Sequence, residues 1–174
     1  MDTIILVNEN DEVIGSSNKK TTHEQGLCHR AFSVFILRQG ESELEVLLQQ
    51  RHHSKYHCGG LWTNTCCSHP RPGESTLAAG QRRLTEELGF SCVLHEIGVF
   101  HYVAHFDNGL TENEIDHVFV GHYNNEPIHC NEKEISNIEW KTFKAINEDY
   151  EASPEKYTPW FMKAFHLLQR HSLG

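Results

Sequence analysis

The sequence predicts a mixed α+β fold, with helices flanking a sheet in an α/β/α sandwich. Two helical repeats of apolar residues are present, one at 74–88 and one after residue 158. Strands interleaved with a few helices are typical of such architectures. The length of 174 residues suits one domain with one core. The β-rich runs that predict strands lie at 3–8, 31–38, 44–51, 92–106 and 111–123.

The first strands are predicted from apolar runs closed by polar turns. The run at 3–8 ends in the polar turn 8–11, and the segment that follows ends near Gly15, which predicts an opening hairpin. The runs at 31–38 and 44–51 are joined by a connection whose length suits a second hairpin. We expect these two runs to be central strands.

A helix and a second pair of strands follow. Leu77, Leu84 and Leu88 keep helical spacing, and Gly89 stands where a C-terminal cap belongs. The strands at 92–106 and 111–123 flank Asp107-Asn-Gly109, a strong turn signal.

A last helix is predicted near the end of the chain. Thr158 suits an N-cap and Pro159 the first helical position, and apolar residues at helical spacing run from Trp160 to Leu168. The polar stretch 144–157 before it is predicted as a loop or an irregular helix.

Composition limits the possible partners. The formal net charge is −9, which argues against nucleic acids and anionic membranes as partners, because phosphate backbones recruit clustered Lys and Arg. A phosphate-bearing ligand would therefore need a local cationic pocket. The chain has no apolar run near the roughly 18 residues of a membrane span and no basic leader, so we expect a soluble cytoplasmic protein.

Cysteines and histidines are candidate functional residues only where their spacing in the sequence supports such a role. Six cysteines without framework spacing are expected to be free thiols. With 14 histidines, a lone His has little weight. A structural zinc module built on cysteines remains an alternative, using Cys28, Cys58, Cys66 and Cys67.

Three segments hold candidate site residues. In extended chain, Glu112 and Glu114 share one face, although an isolated Glu-x-Glu is more often a solvated strand face. If residues 62–70 are extended, Cys67 and His69 share a face and Cys66 points to the other, where it is expected to be buried. Imidazole and carboxylate together suit zinc, manganese or iron. Two further histidines, His23 and His29, precede the strand at 31–38.

Residues 74–90 resemble the Nudix box, a Gly/Glu/Arg pattern that binds magnesium diphosphates. The matching residues are Glu74, Arg82, Leu84, Glu86, Glu87, Gly89 and Phe90. Two residues depart from it. Ser68 stands at the opening glycine, and Arg83 replaces a magnesium-binding glutamate, which argues against diphosphate hydrolysis.

Residues from about 3 to 170 resemble the type I isopentenyl diphosphate isomerases, which depart from the box in the same way. Their signatures are present as Trp62-Thr-Asn, Cys67-Ser-His69-Pro70, Gly73-Glu-Ser75, Glu112-Asn-Glu114 and Tyr157-Thr-Pro-Trp160. The resemblance implies one Nudix-like domain over 1–174, with the core at about 30–165 and an N-terminal extension at 1–29. It implies interconversion of isopentenyl and dimethylallyl diphosphate by a monomer. A Nudix diphosphate hydrolase is the alternative enzyme.

The resemblance also implies a role for each site residue. Cys67 and Glu114 would form the acid/base pair, assisted by Tyr102, and Trp160 would stabilise a carbocation or serve only as a core contact. Glu87, with the Cys67 carbonyl, would meet a second Mg²⁺ arriving with the diphosphate. One divalent metal, Mn, Zn or Mg, would be held by His23, His29, His69, Glu112 and Glu114. The diphosphate would be bound by Lys19, Arg51, Lys55 and Arg83.

Overall fold

The computed structural model describes residues 3–55 and 58–173, which form a mixed nine-stranded sheet with helices on both faces. The predicted α+β architecture is confirmed. In chain order the elements are β1 (Thr3–Val7), β2 (Val13–Asn18), α1 (Lys19–Gln25), β3 (His29–Gln39), β4 (Leu44–Arg51), β5 (Trp62–Thr63), β6 (Cys66–Ser68), α2 (Thr76–Leu88), β7 (Leu94–His105), β8 (Thr111–His122), β9 (Ile135–Thr142), α3 (Phe143–Ala152), a 3₁₀ turn (Pro154–Lys156) and α4 (Phe161–Leu173).

Strand β3 is the centre of the sheet. On one side it pairs in parallel with β8 along nearly its whole length, and β7 pairs antiparallel with β8. On its other side it meets β1, β6 and β4 in turn, as each approaches a different part of the strand. Strand β4 continues the sheet to β5 and β9. The predicted central position of the strands at 31–38 and 44–51 is confirmed.

The predicted helix at 74–88 is present as α2. The Ser75 side chain accepts a hydrogen bond from the backbone N–H of Ala78, which caps the first turn. Gly89 ends the helix with φ of 78°, a left-handed conformation that glycine adopts without steric cost.

The sequence predictions omitted two elements and placed the start of the last helix too early. They did not predict α1 or β9, and the polar stretch 144–157 holds α3 and a 3₁₀ turn. Helix α4 begins at Phe161, after a turn at Pro159 and Trp160. The Thr158 hydroxyl lies 2.9 Å from the hydroxyl of Thr63, so this contact ties β5 to the start of α4.

Two apolar clusters hold the helices against opposite faces of the sheet. On one face Phe32, Val34 and Ile36 pack with α2, and on the other Phe35 and Leu37 pack with α4. This alternation follows from the two-residue repeat of a strand buried on both faces. Within the described ranges, no helix has the length and apolar composition to cross a membrane.

Candidate active site

The part of the candidate site formed by histidines and carboxyl groups lies on the α4 face of the sheet, where strand register aligns its residues. His29 of β3 pairs with Glu114 of β8, and Glu114 pairs in turn with Tyr102 of β7. Because alternate residues of a strand share a face, Glu112 and Asp116 lie on the same side as Glu114. All three carboxyl groups are buried. The sheet thus lines up an imidazole, a phenol and three carboxyl groups.

Three histidines and Glu112 form a compact group with the donor set of a metal site. One ligand atom from each of His23, His29, His69 and Glu112 lies within 4.8 Å of the others. His23 comes from α1, and its Nε2 is 3.4 Å from Glu112 Oε2. Glu114 Oε2 adjoins the group, 3.3 Å from His29 Nε2 and 3.2 Å from His69 Nε2.

The hydrogen bonds around His29 fit metal binding. Its Nδ1 lies 2.9 Å from the Leu27 carbonyl, and donation to that oxygen assigns the proton to Nδ1. Nε2 then presents a lone pair towards Glu112 and Glu114, an arrangement that a cation resolves. A His/Glu group that can hold a metal ion is therefore present. No cysteine belongs to this group in the described chain, which leaves the cysteine zinc module without support.

Burial and crowding of like charges shift the proton affinities of these groups. Burial, followed by the Glu112 charge, raises the pKa of Glu114 to about 7. Burial and then the His29 charge hold the pKa of His69 well below its usual value. Burial opposes the charge of His29, but its contacts with Glu114 outweigh this and raise the pKa of the ring.

The two adjacent cysteines point to opposite faces of the sheet, as the extended reading of 62–70 predicted. Cys67 pairs with Ser33 and lines the same cavity as His69 and Glu114. Cys66 pairs with Val34 and is fully buried in the α2 core. Burial raises the pKa of the Cys67 thiol to about 12, although the Arg51 charge opposes this, so the thiol holds its proton at neutral pH. All six cysteines are free.

Glu87 reaches the cavity from the end of α2 and is only 4% exposed. Its Oε2 is 3.1 Å from the Arg83 guanidinium, in an ion pair that is mostly shielded from solvent. Two uncharged donors complete its surroundings, the amide of Gln49 and the thiol of Cys66, each at 3.2 Å.

The four predicted diphosphate ligands line this same cavity. They are Lys19, Arg51, Lys55 and Arg83. Burial, followed by the charges of Lys55 and Arg51, lowers the pKa of Lys19, which reflects how closely the cations are grouped. Glu134 lies among them, paired with Lys55 and 3.5 Å from Arg83. An acidic protein thus carries the local cationic pocket that an anionic ligand requires.

Trp160 lines the cavity, and Tyr102 packs beside it. The ring centroids of Tyr102 and Trp160 are 6.2 Å apart in a T-shaped arrangement, and the Arg51 guanidinium lies 5.7 Å from the Trp160 ring. Both aromatic residues are buried, and the Tyr102 hydroxyl makes no hydrogen bond among the described residues. Burial and then the Glu114 charge raise the pKa of this hydroxyl.

Sequence reasoning missed several residues that line the cavity, among them the polar residues Asp116, Gln49 and Glu134. Asp116 continues the alternation of Glu112 and Glu114, so its placement was readable from the two-residue period. Its Oδ2 accepts from the Ser33 hydroxyl at 2.9 Å. Gln49 and Glu134 join the site through tertiary contacts from strands and loops distant in sequence, and no local pattern marks them.

The fold and a family model agree on the class of protein. The model described as the NUDIX domain matches residues 28–161. A crystal structure from Deinococcus radiodurans has a TM-score of 0.74 at 19% identity, covering 97% of this chain and 98% of that one. A MutT protein from Methanosarcina mazei has a TM-score of 0.65 at 18% identity, covering 83% and 95% respectively. The fold is that of a Nudix protein.

Curated relatives narrow the class further. An isopentenyl-diphosphate Delta-isomerase of Serratia proteamaculans is 48% identical over 159 residues, which are 91% of this chain and 87% of the relative. One of Aliivibrio fischeri is 40% identical over 172 residues, which are 97% and 95% of the two chains. The chain belongs to the isopentenyl-diphosphate Delta-isomerase family.

Proposed function

We propose that this protein interconverts isopentenyl and dimethylallyl diphosphate by moving a proton on and off the five-carbon chain. The observation that carries the proposal is one cavity lined by two proton-carrying groups, Cys67 and Glu114, beside a cluster of cations. A double-bond shift needs a proton added at the terminal methylene carbon and a proton removed from the carbon nearer the diphosphate. Two acid/base groups facing one ligand satisfy that requirement.

The proposed roles follow from protonation and position. The Cys67 thiol holds its proton at neutral pH, and in the metal-free site burial and the Glu112 charge raise the pKa of Glu114 to about 7, so this carboxyl group can carry a proton near neutral pH. One group donates and the other accepts as the double bond shifts through a tertiary carbocation. Tyr102, which pairs with Glu114 across the sheet, assists the proton transfer at that carboxyl group.

The aromatic wall protects the positive charge that develops on the substrate. Trp160 lines the cavity and is only 5% exposed, so most water is excluded from its ring. A cation over an indole face gains roughly 2 kcal/mol or more when desolvated. Trp160 therefore stabilises the carbocation in addition to packing beside Tyr102.

Two metal ions are part of the proposal. His23, His29, His69, Glu112 and Glu114 would hold a divalent ion, with Zn²⁺, Mn²⁺ or Mg²⁺ as candidates, whose charge tunes the proton affinity of Glu114. Glu87, with the Cys67 backbone carbonyl, would meet a second Mg²⁺ carried by the substrate diphosphate. Carboxylate and carbonyl oxygens are the ligands that Mg²⁺ prefers. Lys19, Arg51, Lys55 and Arg83 would bind the diphosphate oxygens.

Arg83 separates this function from diphosphate hydrolysis. A hydrolase of this class would carry a magnesium-binding glutamate at position 83, and here a guanidinium stands there, 2.7 Å from Glu86 and 3.1 Å from Glu87. At this position a metal ligand is replaced by a positively charged side chain, which would bind the diphosphate without promoting its cleavage. We further propose that residues 1–174 act as one domain, as a cytoplasmic monomer.

Proton NMR of isopentenyl diphosphate in deuterated water, with the metal-replete protein and Mg²⁺, tests the proposal directly. We expect dimethylallyl diphosphate with deuterium incorporated, and no phosphate released in an assay of the same sample. Phosphate release would show that the protein is a diphosphate hydrolase and not an isomerase. An unchanged spectrum from metal-replete protein would reject both enzymes.

A further inference from the structure

Glu87 is held by two side chains to which none of the roles above applies. The Gln49 amide Nε2 donates to Oε1 of Glu87 at 3.2 Å, and the Cys66 thiol donates to Oε2 at 3.2 Å. Gln49 comes from β4 and Cys66 from β6, so side chains from two strands hold the carboxylate at the end of α2 in place. Both donors are uncharged, and both are almost completely buried.

The two donors cannot turn away from Glu87 without breaking other contacts. The Gln49 Nε2 also donates to the Thr65 carbonyl at 2.7 Å. The Thr65 hydroxyl is fixed in turn, since it donates to the Leu47 carbonyl at 2.6 Å and accepts from the Ile36 backbone N–H at 2.9 Å. Cys66 has no exposed surface and packs in the α2 core. The donors that face Glu87 are therefore locked by the sheet.

Uncharged donors orient the Glu87 carboxylate without offsetting its negative charge, whereas Arg83 offsets that charge. The guanidinium offsets the charge of the carboxylate, which weakens its attraction for another cation. An amide and a thiol fix the direction of the carboxylate while leaving its full negative charge, and side chains behind a metal ligand commonly act in this way. Because one donor contacts each oxygen, together they set the plane in which the carboxylate faces the cavity.

We infer that Gln49 and Cys66 are positioning residues, which orient Glu87 towards the divalent cation that accompanies a diphosphate ligand. The inference rests on the proposed function for the role of Glu87. It adds that the site is preformed by β4 and β6. Removing either donor frees the carboxylate to rotate towards Arg83, and the affinity for the diphosphate-linked cation falls.

The test measures cation binding as well as turnover. Metal-loaded protein is titrated with Mn²⁺, with and without inorganic diphosphate, and electron paramagnetic resonance follows the equivalent that binds only when diphosphate is present. We expect Gln49→Met and Cys66→Ala each to weaken that binding about 10-fold or more. Cys66→Ser keeps a donor and is expected to stay within about threefold of the parent protein.

The matched control is Gln50→Met, because the Gln50 amide donates to the Gly60 carbonyl at 3.0 Å. This variant is expected to bind like the parent. In turnover assays the Mg²⁺ concentration for half-maximal rate should rise in Gln49→Met and Cys66→Ala, while kcat at saturating Mg²⁺ changes less. A general loss of folding would instead lower kcat and the melting temperature, and Cys66→Ser would not rescue it.

Two results would overturn separate parts of the argument. If Gln49→Met and Cys66→Ala bind Mn²⁺ within twofold of the parent while Glu87→Gln loses the diphosphate-dependent equivalent, the positioning role is wrong and Glu87 remains a ligand. If Glu87→Gln retains that equivalent as well, the proposed role of Glu87 itself fails.

Discussion

Replacing Arg83 by glutamine tests the feature that most separates this chain from a diphosphate hydrolase. The guanidinium contacts Glu86 at 2.7 Å, Glu87 at 3.1 Å and Glu134 at 3.5 Å, and it lines the cavity. Glutamine removes the charge, and its side chain is shorter than that of arginine. The variant therefore tests the contribution of the Arg83 guanidinium to binding a diphosphate.

The magnitude follows from the kind of contact that is lost. A hydrogen bond to a charged group contributes about 1.5–3 kcal/mol, which corresponds to a loss of roughly 10- to 150-fold in affinity. We expect the dissociation constant for magnesium diphosphate, measured by isothermal titration calorimetry, to rise within that range. KM for isopentenyl diphosphate should rise with it, while kcat falls less, because Arg83 contacts no group that transfers a proton.

The control is Arg38→Gln. Arg38 pairs with Glu45 and lies 4.2 Å from the Trp140 ring, and it is not among the residues that line the cavity. This variant should bind diphosphate as the parent does. If Arg83→Gln binds magnesium diphosphate within twofold of the parent, the assignment of Arg83 to the diphosphate is refuted.

Three further predictions follow from the site and its surroundings. Cys67→Ala and Glu114→Gln should each abolish isomerisation in the NMR assay while the melting temperature stays within a few degrees, and near-normal turnover by either would remove that residue from the mechanism. Removing the metal with a chelator should lower the melting temperature by roughly 5–10 °C. An ion present at 100 times its dissociation constant stabilises the fold by about 2.7 kcal/mol, and the melting temperature of a chain of this size falls by about 2–4 °C for each kcal/mol lost. Calorimetry with and without the chelator would show no difference in melting temperature if the histidine cluster binds no metal. Asp149 is held at a pKa of about 2, since burial opposes its charge but hydrogen bonds from Lys156, Tyr157 and Lys141 outweigh this effect. The depressed pKa stabilises the fold at pH values above the unfolded pKa of about 4, and this stabilisation is lost as the pH falls towards 2. Asp149→Asn should therefore lower the melting temperature at pH 7 but not near pH 2, and an equal loss at both pH values would contradict the sign of the effect.

Much of the fold was predictable because it rests on local patterns. The apolar runs of β3 and β4 and the capped, periodic helix α2 carry their own signals, and the structure confirms them. Helix α1 lacks an apolar repeat, since it is seven residues long and polar, although Asn18 caps its first turn and Gly26 ends it in a left-handed conformation. Its side chain His23 is nevertheless buried against Glu112, a packing that no pattern within residues 19–25 predicts.

From residue patterns alone, the site was predictable only where the two-residue period of a strand puts side chains on one face, and the family resemblance supplied the remaining candidates. The alternation of Glu112 and Glu114, and of Cys67 and His69, assigned faces from sequence alone, and the strands keep those faces. Residues such as Glu134 enter the cavity through pairing between distant parts of the chain. Their contribution depends on register, because a shift of one residue would move a side chain to the opposite face.

The division of β3 and β8 into a polar half and an apolar half explains how the fold tolerates buried charge. On the α4 face, β3 changes from Ser33 to Phe35, and β8 changes from Asp116 to Val118, which lies opposite Ser33. The parallel register thus brings the two changes close together, so α4 packs on the apolar half and leaves the polar half as a cavity. Burying carboxylates costs free energy, but the apolar half is a separate source of stability that site substitutions leave intact. For this reason we expect changes at Cys67 or Glu114 to alter chemistry far more than folding.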